Sequence, residues 1–252
     1  MNLSATRIRA VVQKEFREYR HNRFILYTMI TLPLFFTTLP VVELFLISPT
    51  ESADAVRTQV ALTLLLVLLI PVVLPATIAA YAVIGERDQG TLEPVLTTPI
   101  GREEFLIGKA IAAIIPTAII AYLVFAVLVV SIRLGAPQDV VHDVWQPSWF
   151  VAEILFTPLL AAWAVWVGTA VSALSSDVRV AQQLGTLASL PALGLTSLMS
   201  FQVIKPTVSV AVVLALILAG VDFSAWLVVS RMFDRERLVT GKRAISLRID
   251  AN

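Results

Sequence analysis

The sequence predicts an all-α membrane protein that crosses the bilayer six times. Hydrophobic residues make up 58% of the chain and charged residues 15%, against roughly 45–50% and 25% in soluble domains. Uncharged apolar stretches recur at lengths close to or above the roughly 20 residues with which a helix spans about 30 Å of hydrocarbon. Lys and Arg are concentrated in the short segments between these stretches.

The predicted spans follow one another in a single membrane domain, residues 1–252. Five stretches contain no Asp, Glu, Lys or Arg, namely 25–42, 58–85, 110–132, 154–176 and 180–204. A sixth stretch, 207–230, is long enough and is interrupted only by Asp222. We therefore predict transmembrane helices at residues 24–47, 59–84, 108–133, 149–175, 183–204 and 207–230.

The distribution of basic residues predicts the orientation. Sixteen of the 19 Lys and Arg residues lie before span one, between spans two and three, between spans four and five, or after span six. Arg57, Arg133 and Lys205 are the remaining three. Because cytoplasmic segments carry the excess of Lys and Arg, both termini, the connection at 85–107 and the tail at 231–252 are predicted to be cytoplasmic.

The segment before the first span has a helical pattern of its own. Within residues 4–23, apolar side chains recur at helical spacing between basic ones, at Ile8, Val11, Val12, Phe16 and Tyr19. This pattern predicts an amphipathic helix that lies in the membrane interface. The alternative is a plain basic flank that serves only to orient the chain.

The connection at 85–107 is far longer than a simple turn requires. Thr91 is predicted to cap a short helix, in which Pro94 is tolerated in the first turn because its missing N–H would have no partner there anyway. One apolar face of that helix consists of Leu92, Val95 and Leu96. An exposed apolar face of this kind must be buried in lipid, in the protein itself or in a partner.

A second helix start follows within the same connection. Thr98 precedes Pro99 and is therefore driven out of the helical region, which ends the first helix. Gly101 is predicted to cap the second, with Glu103 and Glu104 in its first turn. We predict that the connection hinges at Thr98, Pro99 and Gly101.

These residues resemble the signature of ABC-2 type transporter permeases. The connection reads ERDQGTLEPVL at 86–96, TPIGREE at 98–104 and GK at 108–109. KEFRE at 14–18, with Arg23, resembles the N-terminal amphipathic segment of the family, and RMFDRE at 231–236 resembles the segment that leaves its last helix. Gly101 departs from the pattern, since the family often has Ser or Thr there, although glycine also caps helices.

The resemblance implies a permease subunit that works with a separate cytoplasmic ABC ATPase in the inner membrane of a prokaryote, mostly for export. It also implies a second permease copy, as a homodimer or heterodimer. The connection would be a coupling helix docked on the ATPase through Glu86, Arg87, Gly90, Thr91, Leu92, Glu93, Val95, Leu96 and Arg102. The alternative is a loop that rests on lipid headgroups. ATP and Mg²⁺ would bind the partner, and no cofactor would bind this chain.

Several kinds of site are missing from the sequence. Neither Gly-Lys pair, at 108–109 or 241–242, is followed by Ser or Thr or belongs to a P-loop, so the chain is not expected to hydrolyse ATP. His21 and His142 lie far apart, which gives no pattern for a metal. No nucleic-acid motif is present, and the basic segments are explained by topology and anionic lipid.

Three acidic residues fall within or beside the spans. Asp222 continues a stripe of small residues, Ala211, Ala215 and Ala219, along which helices pack closely. It is predicted to face protein or a wet cavity, as a translocation or gate residue or else as a structural hydrogen-bond acceptor. Glu43 and Glu153 are predicted to lie at the outer membrane interface.

Two other classes of function remain open at this stage. One is a channel or ion-coupled carrier without an ATPase, with Asp222 as the coupling site. The other is a membrane scaffold whose connection recruits a cytoplasmic protein. No internal repeat is apparent, which counts against a secondary transporter built from inverted repeats. No residue pattern selects a cargo.

Overall fold

The computed structural model describes residues 3–46, 52–81, 84–85, 100–135, 138–175, 177–201 and 203–232. Of these described residues, 91% are helical and none is in a strand, which confirms the all-α class. The helices run in the order α1 (Ala5–His21), α2 (Arg23–Phe45), α3 (Ala53–Ala80), α4 (Arg102–Gly135), α5 (Gln138–Val144), α6 (Pro147–Leu174), α7 (Val178–Ser200) and α8 (Val208–Met232).

Five of these helices are long and apolar enough to cross a membrane: α2, α3, α4, α6 and α8. They correspond to five of the six predicted spans, so the chain is an integral membrane protein. The predicted span at 183–204 corresponds to α7, which is long enough at 23 residues but is not among the five. The hydropathy of α7 is lowered by its polar and small residues, namely Gln182, Gln183, two glycines and five Ser or Thr residues.

Short polar residues set several helix boundaries. The Asn22 side chain accepts hydrogen bonds from the amides of Phe24 and Ile25, at 3.1 and 3.3 Å. It therefore caps α2 immediately after α1 ends, and this makes the elbow between the two helices. Asp177 caps α7 in the same way by accepting from the amides of Arg179 and Val180.

The third span begins earlier than the sequence predicted. The sequence placed residues 102–107 in the connection, but α4 runs without a break from Arg102 to Gly135. The second helix start is therefore the first turn of a 34-residue helix. The short helix α5 was not predicted, because its seven residues are too few to show a periodic pattern.

Helices α3 and α6 form the centre of the bundle. They pack against each other, α7 packs on both, and α8 packs on α6. Their contact buries large apolar side chains completely, including Ile70, Leu74, Phe156 and Leu160. Helix α2 lies at the edge, where Tyr27, Leu34 and Phe35 remain more than half exposed, as expected of a surface in contact with lipid.

Candidate functional site

The predicted coupling connection joins the end of α3 to the start of α4. Its central residues lie outside the described residues, and these include Glu86, Arg87, Gly90, Thr91, Leu92, Glu93, Val95, Leu96, Thr98 and Pro99. Of the predicted docking and hinge residues, Gly101 and Arg102 are described. The site can therefore be built from the two points at which the connection enters and leaves the helical bundle.

The entry point is held by a serine from α6. The Ser172 hydroxyl is fully buried; it donates to the Ala80 carbonyl at 2.7 Å and accepts from the Ile84 amide at 3.3 Å. Ala80 is the last residue of α3, whose final carbonyls have no partner within the helix. Ser172 therefore bonds to the backbone of the chain on both sides of Tyr81 and holds the end of α3 against α6.

Small residues bring three helix backbones together beside this point. A Cβ atom on Gly168 of α6 would lie 2.7 Å from the Cβ of Ala79, and one on Gly185 of α7 would lie 3.3 Å from the Cα of Gly168. Gln182 of α7 donates to the Thr77 hydroxyl at 2.9 Å. One face of α6 consists of small residues, and all of them are buried: Ala161, Ala164, Gly168 and Ser172. The entry point is thus part of a tightly packed junction of α3, α6 and α7.

The exit point is organised by Glu104. Its Oε2 accepts from the Gly101 amide at 2.8 Å, so Gly101 at the N-cap and Glu104 three residues later form one half of a capping box. Its Oε1 accepts from the Ser4 amide at 2.7 Å, and Arg7 Nη1 lies 3.1 Å from Oε2. Ser4 is itself the N-cap of α1, so one buried carboxylate joins the positive ends of two helices.

A buried ion pair continues the contact between α1 and α4. Lys109 Nζ lies 2.7 Å from Glu15 Oε1, and both side chains are 6% exposed. Lys14 Nζ lies 3.3 Å from the same oxygen, and the Lys109 ammonium lies 5.0 Å from the centre of the Phe105 ring. Burial alone would raise the pKa of Glu15, but Lys109 and Lys14 outweigh it and lower that pKa. Glu15 is therefore held in its ionised form.

Apolar contact completes this interface. A Cβ atom on Gly108 would lie 2.7 Å from both Cβ and Cγ1 of Val11, so the absence of a side chain lets α1 approach α4 closely. Val11 is 3% exposed and Tyr19 is 7% exposed, which places one face of the predicted amphipathic helix against protein. The KEFRE and GK segments, distant in the sequence, meet here.

A cavity of about 480 Å³ lies between the elbow of α1 and α2 and the entry point. Its wall includes Glu18, Tyr19 and Arg23 from the elbow, together with Tyr81 and Gly85 from the entry point. Acidic, basic and aromatic side chains therefore line this cavity. The cavity also reaches Gly85, the last described residue before the connection.

Asp222 lies deep within α8 and is 7% exposed. It shares its buried face with Ala211 and Ala215, as the stripe of small residues predicted. Within the described part of the chain, neither carboxylate oxygen has a hydrogen-bond partner, and the indole nitrogen of Trp226, one turn away, has none either. The structural hydrogen bond considered for Asp222 is therefore not found among these residues.

Glu153 is buried in the protein. The sequence predicted that it lies near the outer end of its span, at the membrane interface, and did not predict that its side chain is 5% exposed and packs inside the bundle. Thr157 donates a hydrogen bond to its Oε1 at 2.8 Å. The sequence does contain a signal for this burial. Thr157 and Glu153 precede Ala161 by four and eight residues, so they lie on the same face of α6 as its small residues.

The described residues contain no group of three or more His, Cys, Asp or Glu side chains that could hold a metal ion. Glu43, also predicted at the outer interface, is exposed and accepts a hydrogen bond from Gln59 at 2.7 Å. Among the described residues, ion pairs join α1 to α4 through Arg7 with Glu104 and through Glu15 with Lys109.

A protein-family model matches most of the chain. This model, described as "ABC-2 family transporter protein", matches residues 9–239. No curated protein matches the chain significantly. The matched range includes most of α1, both ends of the connection, Glu153 and Asp222, whereas Ser4 and Arg7 precede it.

Proposed function

Because this chain belongs to the family of ABC-2 transporter proteins, we propose that it is the permease subunit of an ABC exporter. In this proposal the chain forms the membrane pathway and contains no ATPase site. ATP and Mg²⁺ bind a separate cytoplasmic ABC ATPase, and this chain binds no cofactor of its own. Two permease copies, identical or different, enclose the pathway, since six helices in one copy surround little space.

The proposal includes a sixth span and a defined orientation. Helix α7 crosses the membrane as the fifth span, supported by its length and by its packing against α3 and α6. Lipid-facing polar groups are costly in a bilayer, but Ser189 and Thr196 of α7 are fully buried. With six spans, both termini and the connection after α3 face the cytoplasm of a prokaryotic cell.

The observation that carries the coupling role is that both ends of the connection are tied to different parts of the bundle. On the entry side, Ser172 ties the backbone to α6. On the exit side, Glu104 ties it to α1. A force applied to residues 91–96 is therefore passed to α3 and α6 through one anchor, and to α4 and α1 through the other.

In the proposed mechanism, closure of the ATPase on ATP pushes the connection toward the membrane. The apolar face formed by Leu92, Val95 and Leu96 fills a pocket on the ATPase, and Glu86, Arg87 and Arg102 make polar contacts around it. Thr98, Pro99 and Gly101 act as the hinge. Asp222, buried on α8, acts as a gate residue whose surroundings change as the helices tilt.

Co-purification with a candidate ATPase tests this assignment. We expect Leu92→Asp and Leu96→Asp each to weaken ATPase binding by at least about tenfold, because a charge replaces an apolar anchor at the centre of an interface. Val203→Asp is the matched control, since Val203 is 71% exposed beyond the far end of α7. Unchanged ATPase binding by both loop variants would show that the coupling surface is assigned wrongly.

The burial of Asp222 without a hydrogen-bond partner in the described residues favours one rival function, an ion-coupled carrier. That rival predicts transport in the absence of any ATPase, abolished by Asp222→Asn. The permease proposal predicts no transport under those conditions, whichever residue occupies position 222.

A further inference from the structure

The cavity between the elbow and the entry point is large enough to hold a ligand. Its volume of about 480 Å³ lies within the roughly 300–1,000 Å³ that is typical of small-molecule sites. Its lining combines charged side chains, among them Arg23, with the apolar side chains of Phe24, Ile25 and Ile78. A ligand that fits this lining has a charged part and an apolar part.

The acidic side chains of the lining already have cationic partners. Glu15 is paired with Lys109 at 2.7 Å and with Lys14 at 3.3 Å. Lys14 Nζ also lies 3.0 Å from Glu18 Oε1, so two ammonium groups balance the two carboxylates. Among the described residues, no ion pair involves Arg23. The cavity therefore carries a positive charge and favours an anion.

Tyr81 adds a hydroxyl group on the opposite side of the cavity, at the end of α3. Burial raises the pKa of this hydroxyl, and the positive charge of Arg179 on α7 opposes the rise. Arg179 is therefore close enough to add to the positive potential at the cavity. A guanidinium and a phenol hydroxyl both donate hydrogen bonds, and phosphate oxygens accept strong ones from such donors.

The position of the cavity along α2 indicates a lipid rather than a free anion. Arg23 is the first residue of the apolar span Arg23–Glu43, so the cavity lies at the depth of the lipid headgroups. The Phe24 ring lies 6.0 Å from the Tyr81 ring. Tyr27 and Leu34 follow Phe24 on the same face of α2 and are 65% and 64% exposed. An acyl chain that leaves the cavity can lie along this face.

We propose that the cavity binds the headgroup of an anionic phospholipid. Arg23 and Tyr81 donate hydrogen bonds to its phosphate oxygens, and one acyl chain follows α2 past Tyr27 and Leu34. Because Glu15 and Glu18 are already paired, the cavity offers no free carboxylate to the ammonium group of a zwitterionic headgroup. The bound lipid joins the elbow to the end of α3, beside the entry point of the connection.

Calorimetric titration of the purified chain in the neutral detergent dodecyl maltoside, without any ATPase, tests the proposal. The probe is dihexanoyl-phosphatidylglycerol, and protein-free micelles correct for its partition into detergent. We expect saturable binding of this lipid and at least about tenfold weaker binding of dihexanoyl-phosphatidylcholine, which has the same chains but no net charge. Inorganic phosphate, which lacks an apolar part, is also expected to bind at least about tenfold more weakly.

The comparison ligands make the proposal falsifiable. Absence of saturable phosphatidylglycerol binding by the wild-type chain overturns it. Equal affinity for phosphatidylcholine shows a site without selectivity for anionic lipid, and equal affinity for inorganic phosphate shows a site for free anions. Either of these results also overturns the proposal.

Arg23→Gln is the principal variant, and it is expected to weaken phosphatidylglycerol binding by about tenfold. Arg23→Lys keeps the charge without the two-pronged geometry of the guanidinium, so we expect a smaller, several-fold loss. Arg9→Gln is the matched control, because Arg9 is exposed on α1 and does not line the cavity. Its binding is expected to stay within about twofold of the wild-type value.

The variants separate a defined site from a general attraction of lipid to basic residues. Equal losses in Arg23→Gln and Arg9→Gln would show such a general attraction and overturn the proposal. If Arg23→Gln does not fold, Tyr81→Phe provides the measurement, with an expected loss of several-fold. Unchanged binding in the folded Tyr81→Phe variant then overturns the proposal.

This inference goes beyond the proposed transport function, since it concerns a lipid that binds the chain itself. Failure of the Leu92→Asp and Leu96→Asp variants to disrupt ATPase binding would leave phosphatidylglycerol binding unaffected. Conversely, absence of the lipid site would leave the ATPase-coupling proposal standing.

Discussion

Glu104 and Glu15 each connect two helices that lie about a hundred residues apart in the chain. Glu104 accepts hydrogen bonds from the first turn of α4 and from the N-cap of α1. Glu15 of α1 is paired with Lys109 of α4 in a place from which water is nearly excluded. A buried ion pair of this kind stabilises a protein little more than two packed apolar side chains would. Removing one partner is nevertheless destabilising, because the other charge remains buried without a counterion.

At this scale we predict that Lys109→Met lowers the free energy of unfolding by about 3 kcal/mol, since Glu15 loses its closest cation. The double variant Glu15→Gln, Lys109→Met is expected to recover most of that loss. Unfolding in detergent measures both, with Lys205→Met, an exposed lysine, as the control. Equal destabilisation in the single and double variants would contradict the predicted role of the buried charge.

The same pair gives a pH dependence with a definite sign. The folded protein lowers the pKa of Glu15, so its contribution to stability is complete above the ordinary pKa of a glutamate and is lost as the pH falls through the lowered value. Stability measured between neutral pH and pH 3 should therefore decline less in Glu15→Gln than in the wild-type chain.

At the scale of helices, the close approach of α1 to α4 depends on a residue without a side chain. Gly108 faces Val11 at a distance that leaves no room for a methyl group. The ion pair and the Glu104 bonds lie along the same interface, so a shift of α1 would strain all of them together. Helix α1 is thus one packed unit with the start of α4.

We therefore predict that Gly108→Ala destabilises the protein by about 1–3 kcal/mol through overpacking. Gly220→Ala is the matched control, because a Cβ at Gly220 would meet no atom within 4 Å and alanine favours helix. Introduced into each background, Val12→Cys reports the movement of α1 through its reaction with a maleimide, since Val12 is partly buried beside the same interface and the chain has no native cysteine. Equal labelling in both backgrounds would show that α1 does not move.

The sequence predicted the helices of this interface but not their contacts. The apolar spacing in residues 4–23 predicted α1, and Gly101 with Glu103 and Glu104 predicted the start of α4. The sequence contained no information that Ser4 and Glu104 would meet, because two predicted spans separate these residues along the chain. The burial of Glu153 was not predicted, because it depends on the rotation of α6 about its axis, and the position of a residue along the helix does not give that rotation.

At the scale of the whole molecule, the number of spans decides which segments lie on the same side of the membrane. Five helices are long and apolar enough to cross the membrane, and α7 is more polar because Ser, Thr, Gly and Gln residues interrupt its apolar sequence. If α7 crosses as proposed, residues 175 and 203 lie on opposite sides of the membrane. If it does not, residues 175 and 203 lie on the same side.

Single cysteines decide between these topologies. We predict that Leu46→Cys and Val203→Cys react with an impermeant maleimide from outside intact cells, whereas Ser175→Cys reacts only after permeabilisation. Leu46 is 73% exposed and Val203 is 71% exposed, so both are accessible to the reagent. Labelling of Val203→Cys only after permeabilisation would remove α7 from the set of spans.

The sequence by itself determined the properties that depend on local composition: the all-α class, the five helices long and apolar enough to cross a membrane, and the family signature. A bilayer imposes one axis on every apolar helix, so these properties need no knowledge of neighbouring helices. Only the tertiary structure decided how each helix is rotated and which helices touch. Packing set those relations, and it placed Glu153 inside the bundle, joined Glu15 to Lys109, and fastened the two ends of the connection to α6 and α1.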